Sequence, residues 1–367
     1  MTTQLLDQTQ EQKRDELANR LFQTCLSGLD ILAVYIGHRL GYYAALGEIG
    51  PATSTELAER TRTNERYARE WLEQQAVTGI LTVDDARAEV CARRYTLEPG
   101  HGDVLVREDS LSYVVPLVRY YVGAVPILPR VVEAYRTGGG VPWTEMGREI
   151  VEAQEGFNRT LYERFLGTEN LASLPDVDAR LRADPPARVA DLGCGAGWSS
   201  IAVARAYTNA VVHGVDFDPL AIDIARRNAV EAGVAERVSF EVRDAADLPA
   251  GSFDLVLLLE CLHDVPHPVE VLRAAHRLLA PGGAVIAMDE RVAEEFTAPG
   301  GDIDRMMYGW SLVQCLPGGM AEPGAAGTGA VMRPSTVRQY AQQAGFADVQ
   351  ILPIDTDPLR RWYRLIP

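Results

Sequence analysis

Three glycines at alternate positions follow an apolar run that ends in an aspartate: Val189-Ala190-Asp191-Leu192-Gly193-Cys194-Gly195-Ala196-Gly197. Glycine permits a tight turn and leaves no Cβ between the backbone and a ligand. Trp198-Ser199-Ser200-Ile201 then reads as a helix start. Strand, glycine turn and helix together offer backbone to a ligand at the carboxyl end of a strand. Asp216 ends a second apolar run, about twenty positions on, where a carboxylate suits both hydroxyls of a ribose. Asp244-Ala245 follows a third run and can accept from an exocyclic amine such as adenine's. Glu260-Cys261-Leu262-His263-Asp264 follows a fourth. His263 is of the type that exchanges a proton near neutral pH. It could equally cap the following helix or bond to Asp264. Glu290, at the end of a fifth run, is placed for a substrate contact or as a second base.

The turn is not a dinucleotide fingerprint. GxGxxG needs its third glycine where this chain has Trp198, and the spacing here is GxGxG. Such a turn suits a ligand with an amino-acid tail. Asp216 and Asp244 in order strengthen that reading.

Elements must hold these residues in register. Strands are expected at 188–191, 211–216, 238–243, 255–259, 284–289 and 348–353, with helices between them, such as 220–232 and 268–279. That alternation predicts a mostly parallel sheet covered on both faces. Upstream, residues 15–41 read as a helix apolar on much of its circumference, buried in a core or against a partner. Thr53 and Glu56 have capping-box spacing. A helix at 65–78 and strands at 80–83 and 93–97 complete a winged-helix pattern. Three segments result: 1–105, winged helix and dimerisation; 106–184, helical linker and pocket region; and 185–367, cofactor-binding domain. Substrate walls are expected from Phe157 in the linker and from Met307, Tyr308 and Gln314 in a lid at 302–320, although helical spacing also fits core packing.

Bulk properties narrow the partners. The chain has 367 residues, is 47% hydrophobic and 23% charged, and carries a formal net charge of −16. That balance argues against nucleic acid, whose nonspecific affinity comes from basic residues. The helix at 65–78 sets Glu65, Glu70 and Glu73 against Arg66 and Arg69. The polar N-terminus and the lack of a run of about eighteen apolar residues predict a cytoplasmic protein without a membrane span. The five cysteines form no CxxC pair or Cys/His cluster, and Asp289-Glu290 has no matching ligands at recognisable spacing, so no metal is expected.

At these motifs (VADLGCGAG, GVDFDP, VRDAADLP, FDLVLLLECLHD and LLAPGG) the sequence resembles the class I S-adenosylmethionine-dependent methyltransferases over roughly its second half. The resemblance implies an α/β, Rossmann-like domain preceded by a mainly helical winged-helix domain. It implies that Asp191, Gly193, Gly195 and Gly197 hold the methionyl part of S-adenosyl-L-methionine. Asp216 would take the ribose, Phe217 would lie beside the adenine, Asp244 and Ala245 would read it, and Glu260 would lie near the sulfonium. With its N-terminal half the chain is similar to small-molecule O-methyltransferases of secondary metabolism. This implies a homodimer, a small aromatic or natural-product-like acceptor, S-adenosyl-L-homocysteine as product, and His263 as general base. The chain departs from that pattern: Val265 stands for the family's tryptophan after His-Asp, and the segment before the last strand is long. Two alternatives stand beside it: a DNA-binding regulator with a cofactor-sensing domain, and a non-methylating descendant of the fold.

Overall fold

The computed structural model describes residues 8–367; the reading of the extreme N-terminus as polar falls partly outside them. The chain divides into two compact units, one ending at Val122 and the other Gly123–Pro367.

The first unit begins with a 32-residue helix, Gln8–Arg39. Helices Tyr42–Ile49, Ser54–Thr61 and Glu65–Val77 follow, then a hairpin of β1 (Thr82–Val83) and β2 (Tyr95–Thr96). The Thr53/Glu56 capping box forms as the spacing predicts, and Asn64 caps the next helix through the Arg66 N–H. Tyr42, Tyr43, Leu46, Leu57 and Leu72 fill the core under Trp71. The long helix is less buried than its composition suggests. Leu17, Leu21, Phe22, Leu26, Leu29, Leu32 and Ile36 are all exposed along it.

The lack of an eighteen-residue apolar run does not by itself rule out helices of spanning length. Helical stretches Thr9–Arg39 and Val115–Thr137 have the length and apolar composition to cross a membrane. Polar residues interrupt both, so no single unbroken run betrays them. The second is 44% buried within the protein and is broken by a 3₁₀ turn at Val125–Ile127, as the core helix of a globular fold would be.

The second unit is built on seven strands: β3 (Arg188–Leu192), β4 (Val211–Asp216), β5 (Val238–Val242), β6 (Phe253–Leu259), β7 (Leu279–Glu290), β8 (Asp348–Leu352) and β9 (Arg360–Ile366). Their order is β5-β4-β3-β6-β7-β9-β8. Neighbours are parallel as far as β7, and β9 runs antiparallel between β7 and β8. Side chains alternate between two covered faces. Val189, Leu257 and Ile286 enter one core, and Ala190, Val256, Leu258 and Val285 the other. Burial on both faces is why β6 is apolar almost throughout. The chain winds outward from β3 in one direction and then returns to β6 beside it. Their carboxyl ends therefore flank the crevice where such sheets bind ligands.

β9 is absent from the expected strands. Arg360, Arg361 and Arg364 break the apolar alternation of this segment and hide the strand signal of Trp362, Tyr363, Leu365 and Ile366. Only pairing across the sheet buries Arg360, which stands opposite Glu290 in the β7–β9 register.

Candidate active site

The glycine turn leaves β3 with Gly193, Gly195 and Gly197 at φ of 69°, 50° and 84°, all left-handed. The first and third glycines are packing requirements. A Cβ on Gly193 would stand 2.7 Å from the Cys261 Cβ, and one on Gly197 would stand 2.5 Å from Phe240 Cζ. A Cβ on Gly195 would meet nothing within 4 Å. Gly195 therefore presents bare backbone to open space.

Asp191 lies under this turn, 1% exposed. Its Oδ2 accepts from Ser199 and Ser200 Oγ, both at 2.6 Å. Burial pushes its pKa up to about 6 against the pull of those two hydroxyls. Asp216 ends β4 and accepts from the Gly195 N–H at 2.9 Å and the Asp218 N–H at 2.9 Å. One carboxylate thus ties the turn to the neighbouring strand, and burial raises its pKa. Phe217 beside it is 51% exposed, an open aromatic face. Asp244 follows β5 and caps a 3₁₀ turn through the Ala246 N–H at 2.8 Å, with Ala245 buried behind it.

A denser polar cluster sits past β6 and β7. Glu260 has φ 56°, one of two non-glycine residues at positive φ among the described residues. That backbone costs of order 1 kcal/mol or more. The Glu260 N–H holds it by donating to Met288 O at 2.8 Å, and its carboxylate meets Arg360 Nε. Arg360 also reaches Glu290 through Nη1 at 2.8 Å and lies 5.4 Å from the Phe157 ring centroid. Burial raises the pKa of both glutamates, that of Glu290 to about 8 despite Arg360, while the glutamates raise the guanidinium's own pKa against its burial.

His263 is 3% exposed, and both ring nitrogens face carboxylates. Nδ1 stands 2.6 Å from Asp289 Oδ1, and Nε2 stands 3.2 Å from Asp264 Oδ1. Burial alone would lower its pKa. Asp264 and Asp289 reverse that and hold it well above the usual histidine range. His263, Asp264 and Cys315 also bring three ligand-capable atoms within 4.8 Å of one another. No motif spacing announced that cluster, because Cys315 is remote in sequence from the His-Asp pair.

A small pocket opens beside Glu260, lined by Asn158, Leu161, Tyr162, Phe165, Asn170, Met288, Thr356, Asp357, Arg360 and Trp362. Burial and Glu260 lift the Tyr162 hydroxyl well above its ordinary pKa. Of the expected substrate residues, Phe157 reaches the pocket's guanidinium. Met307 packs with Val292, Cys315 and Ala330. Tyr308 is 38% exposed and accepts from Arg333 at 3.3 Å. Gln314 is wholly buried on a π-helical turn, Ser311–Cys315, with neither amide atom hydrogen-bonded. Sequence reading missed Asp289, Asp357, Tyr162 and Arg360. A buried arginine opposite glutamates is visible only through strand pairing; Asp289, next to Glu290, stood closest to notice.

The sheet order and glycine turn define a methyltransferase-type cofactor domain. A methyltransferase-domain family model matches residues 183–316, and a Rv2258c-like winged HTH domain model matches residues 28–107. A ubiquinone biosynthesis O-methyltransferase of Pseudomonas aeruginosa is 31% identical over 179 residues, covering 48% of this chain and 72% of that one. Its counterpart in Ralstonia nicotianae is 34% identical over 182 residues, 48% of this chain and 70% of that one. An O-methyltransferase family protein from Burkholderia thailandensis shares the fold over 95% of this chain and 97% of its own, with TM-score 0.70 and 19% identity. Human N-acetylserotonin methyltransferase does so over 100% and 99%, with TM-score 0.66 and 19% identity. The chain belongs to the class I S-adenosylmethionine-dependent methyltransferases, in the form that carries an N-terminal winged-helix domain.

Proposed function

We propose that the chain transfers a methyl group from S-adenosyl-L-methionine to an oxygen, nitrogen or carbon of a small aromatic or natural-product-like molecule, releasing S-adenosyl-L-homocysteine. The observation that carries this is a glycine turn open at Gly195, with Asp216 and Asp244 at the next strand ends and a pocket beside Glu260.

In this reading Asp191, Gly193, Gly195 and Gly197 hold the methionyl part of the donor. Asp216 accepts from the ribose, Phe217 lies on the adenine, Asp244 and Ala245 read its edge, and Glu260 faces the sulfonium end. Bound there, the donor supplies an electrophilic methyl group. The protein's task is to align the acceptor atom behind that carbon and exclude water, and alignment supplies much of the rate. His263 lies between two carboxylates, Nδ1 2.6 Å from Asp289 Oδ1 and Nε2 3.2 Å from Asp264 Oδ1, and both push its pKa up against its burial. It takes the acceptor's proton only if Asp264 first gives up Nε2. We therefore take His263 as the residue that orients the acceptor and Glu290 as the support of Arg360; Phe157 reaches the pocket's guanidinium, while Met307, Tyr308 and Gln314 lie outside the pocket's lining.

The N-terminal unit is proposed as the dimerisation module. The exposed leucines of Gln8–Arg39 form an apolar face that a second copy would cover. Support for DNA binding is weaker. Arg66 pairs with Glu70, Arg69 with Glu65 at 3.4 Å, and Arg93 of the hairpin with Glu73 at 2.7 Å, so phosphates would meet neutralised arginines. All five cysteines are free thiols, which suits a cytoplasmic setting.

The test is incubation with methyl-labelled donor and a panel of phenols, indoles and amines. Label should enter one product class. Donor turnover without label in any product would point to a non-methylating descendant. With the acceptor in hand, His263→Ala should raise KM and cut kcat by less than ~10²-fold; a larger loss in kcat alone restores the general-base role.

A further inference from the structure

His263, Asp264 and Cys315 each carry an atom that can ligate a cation, and those atoms lie within 4.8 Å of one another. Two segments remote in sequence are locked together to bring them there. The Gly329 N–H donates to His263 O at 3.2 Å, and the Ala326 N–H donates to Pro266 O at 2.8 Å. Cys315 ends a π-helical turn, Ser311–Cys315. Such turns are frequent at functional sites.

The geometry inside the cluster is that of neighbouring ligands. His263 Nε2 stands 3.2 Å from Asp264 Oδ1, yet this buried oxygen completes no hydrogen bond. Two ligands each ~2 Å from a tetrahedral zinc ion lie roughly 3.3 Å apart. On the far side of the ring, Nδ1 is 2.6 Å from Asp289 Oδ1. That oxygen also accepts from the Glu290 N–H at 2.9 Å, which fixes the carboxylate. A carboxylate behind a histidine is the usual support of a metal-bound imidazole. It keeps a proton on Nδ1 and leaves Nε2 as the ligand. The Asp264 side chain is 15% exposed, so an ion can enter from that side.

The donor set decides the ion. Magnesium and calcium take oxygen ligands, whereas one nitrogen, one sulfur and one carboxylate oxygen suit zinc, with iron(II) as its nearest competitor. We propose that His263 Nε2, Asp264 Oδ1 and Cys315 Sγ form a site for a single zinc-type divalent cation, with Asp289 positioning His263 from behind. Burial pushes the Cys315 pKa up to about 12, so the thiol arrives protonated. Coordination releases that proton and the one on Nε2 to solvent, and draws the sulfur to the ~2.3 Å of a zinc–thiolate bond. Three protein ligands leave one tetrahedral position, which water or an oxygen of the acceptor would take. The site goes beyond methyl transfer, and cation binding is measurable without donor or acceptor.

The probes are zinc, cobalt(II) and magnesium, added to the chelator-treated full chain. Cys25 and Cys91 are exposed thiols, so both are first changed to serine to remove competing ligands. In this parent, titration calorimetry should show one zinc per chain at micromolar affinity or tighter, and no magnesium binding. Cobalt(II) should give the near-ultraviolet charge-transfer absorption of a cobalt–thiolate bond. Cys315→Ser should abolish that absorption. Asp264→Asn, which removes a ligand, and Asp289→Asn, which removes its neighbour's support, should each weaken zinc at least ~tenfold. Zinc should also raise the melting temperature of the parent and leave that of Cys315→Ser unmoved, a readout that survives if the substitution lowers the starting value. No zinc binding in the parent overturns the site. So does zinc binding that is unchanged in both Cys315→Ser and Asp264→Asn. Absence of methyl transfer with zinc bound would sink the activity reading while confirming the site.

Discussion

Gly195 and Gly197 sit two residues apart in the same turn, both with left-handed backbone, yet alanine should damage them in opposite ways. Each alanine costs ~1–2 kcal/mol for a Cβ in the left-handed region. At Gly197 the new Cβ would also lie 2.5 Å from Phe240 Cζ and 2.9 Å from Ala225 Cβ. Forcing a methyl into a packed core adds ~1–3 kcal/mol, so Gly197→Ala should lose ~2–5 kcal/mol in all. At Gly195 nothing lies within 4 Å, so only the backbone cost applies. For domains of this size ~1 kcal/mol lowers the melting temperature by ~2–4 °C. Gly195→Ala should therefore melt only a few degrees low, and Gly197→Ala up to about twenty degrees low. Ligand affinity should reverse the order. The Gly195 methyl enters the space where the donor's tail is proposed to lie, and S-adenosyl-L-homocysteine affinity should fall at least ~tenfold, ~1.4 kcal/mol. Gly197→Ala, measured where it is still folded, should bind closer to wild type. Differential scanning calorimetry and titration calorimetry on both variants decide it. Wild-type affinity in Gly195→Ala would refute the assignment of that open face to the ligand.

Three further outcomes are expected. Asp191 has its folded pKa raised to about 6 from 3.8, so its favourable contribution is fully present below the unfolded value and is lost as pH rises through 6. That is worth ~3 kcal/mol, so the stability difference between wild type and Asp191→Asn should shift by that order between pH 4 and pH 7 in urea titrations, and a constant difference would refute it. Arg360→Met strands two buried glutamates and should cost ~3–5 kcal/mol in urea unfolding, partly recovered by adding Glu290→Gln; a loss under ~1 kcal/mol would show that the pair is not coupled in solution. Leu21→Glu with Leu29→Glu should convert a dimer to a single chain by light scattering, whereas a wild type that already runs as one chain would remove the dimer proposal.

The cofactor domain was legible because its signals are local. Gly193-Cys194-Gly195-Ala196-Gly197, Asp216 and Asp244 each sit at a strand end, and strand ends follow from runs of apolar residues of the right length. The Thr53/Glu56 cap was equally local, a contact within one turn of helix. What stayed hidden depends on pairing between distant segments. Arg360 looked like a charge interrupting a tail until β9 slid antiparallel between β7 and β8 and set it opposite Glu290. His263 was readable as a titrating residue, but Asp289, 26 positions away, sets how strongly it holds its proton.

By itself, then, the sequence determined the alternating strands and helices, the glycine turn, and with them the methyltransferase family and its donor. These rest on periodicity and on backbone freedom, which one stretch of chain carries alone. Tertiary structure alone decided which glycine faces open space, which carboxylates hold His263, and where two glutamates meet Arg360. Burial and charge balance belong to no single segment. They arise where strands remote in sequence are brought side by side.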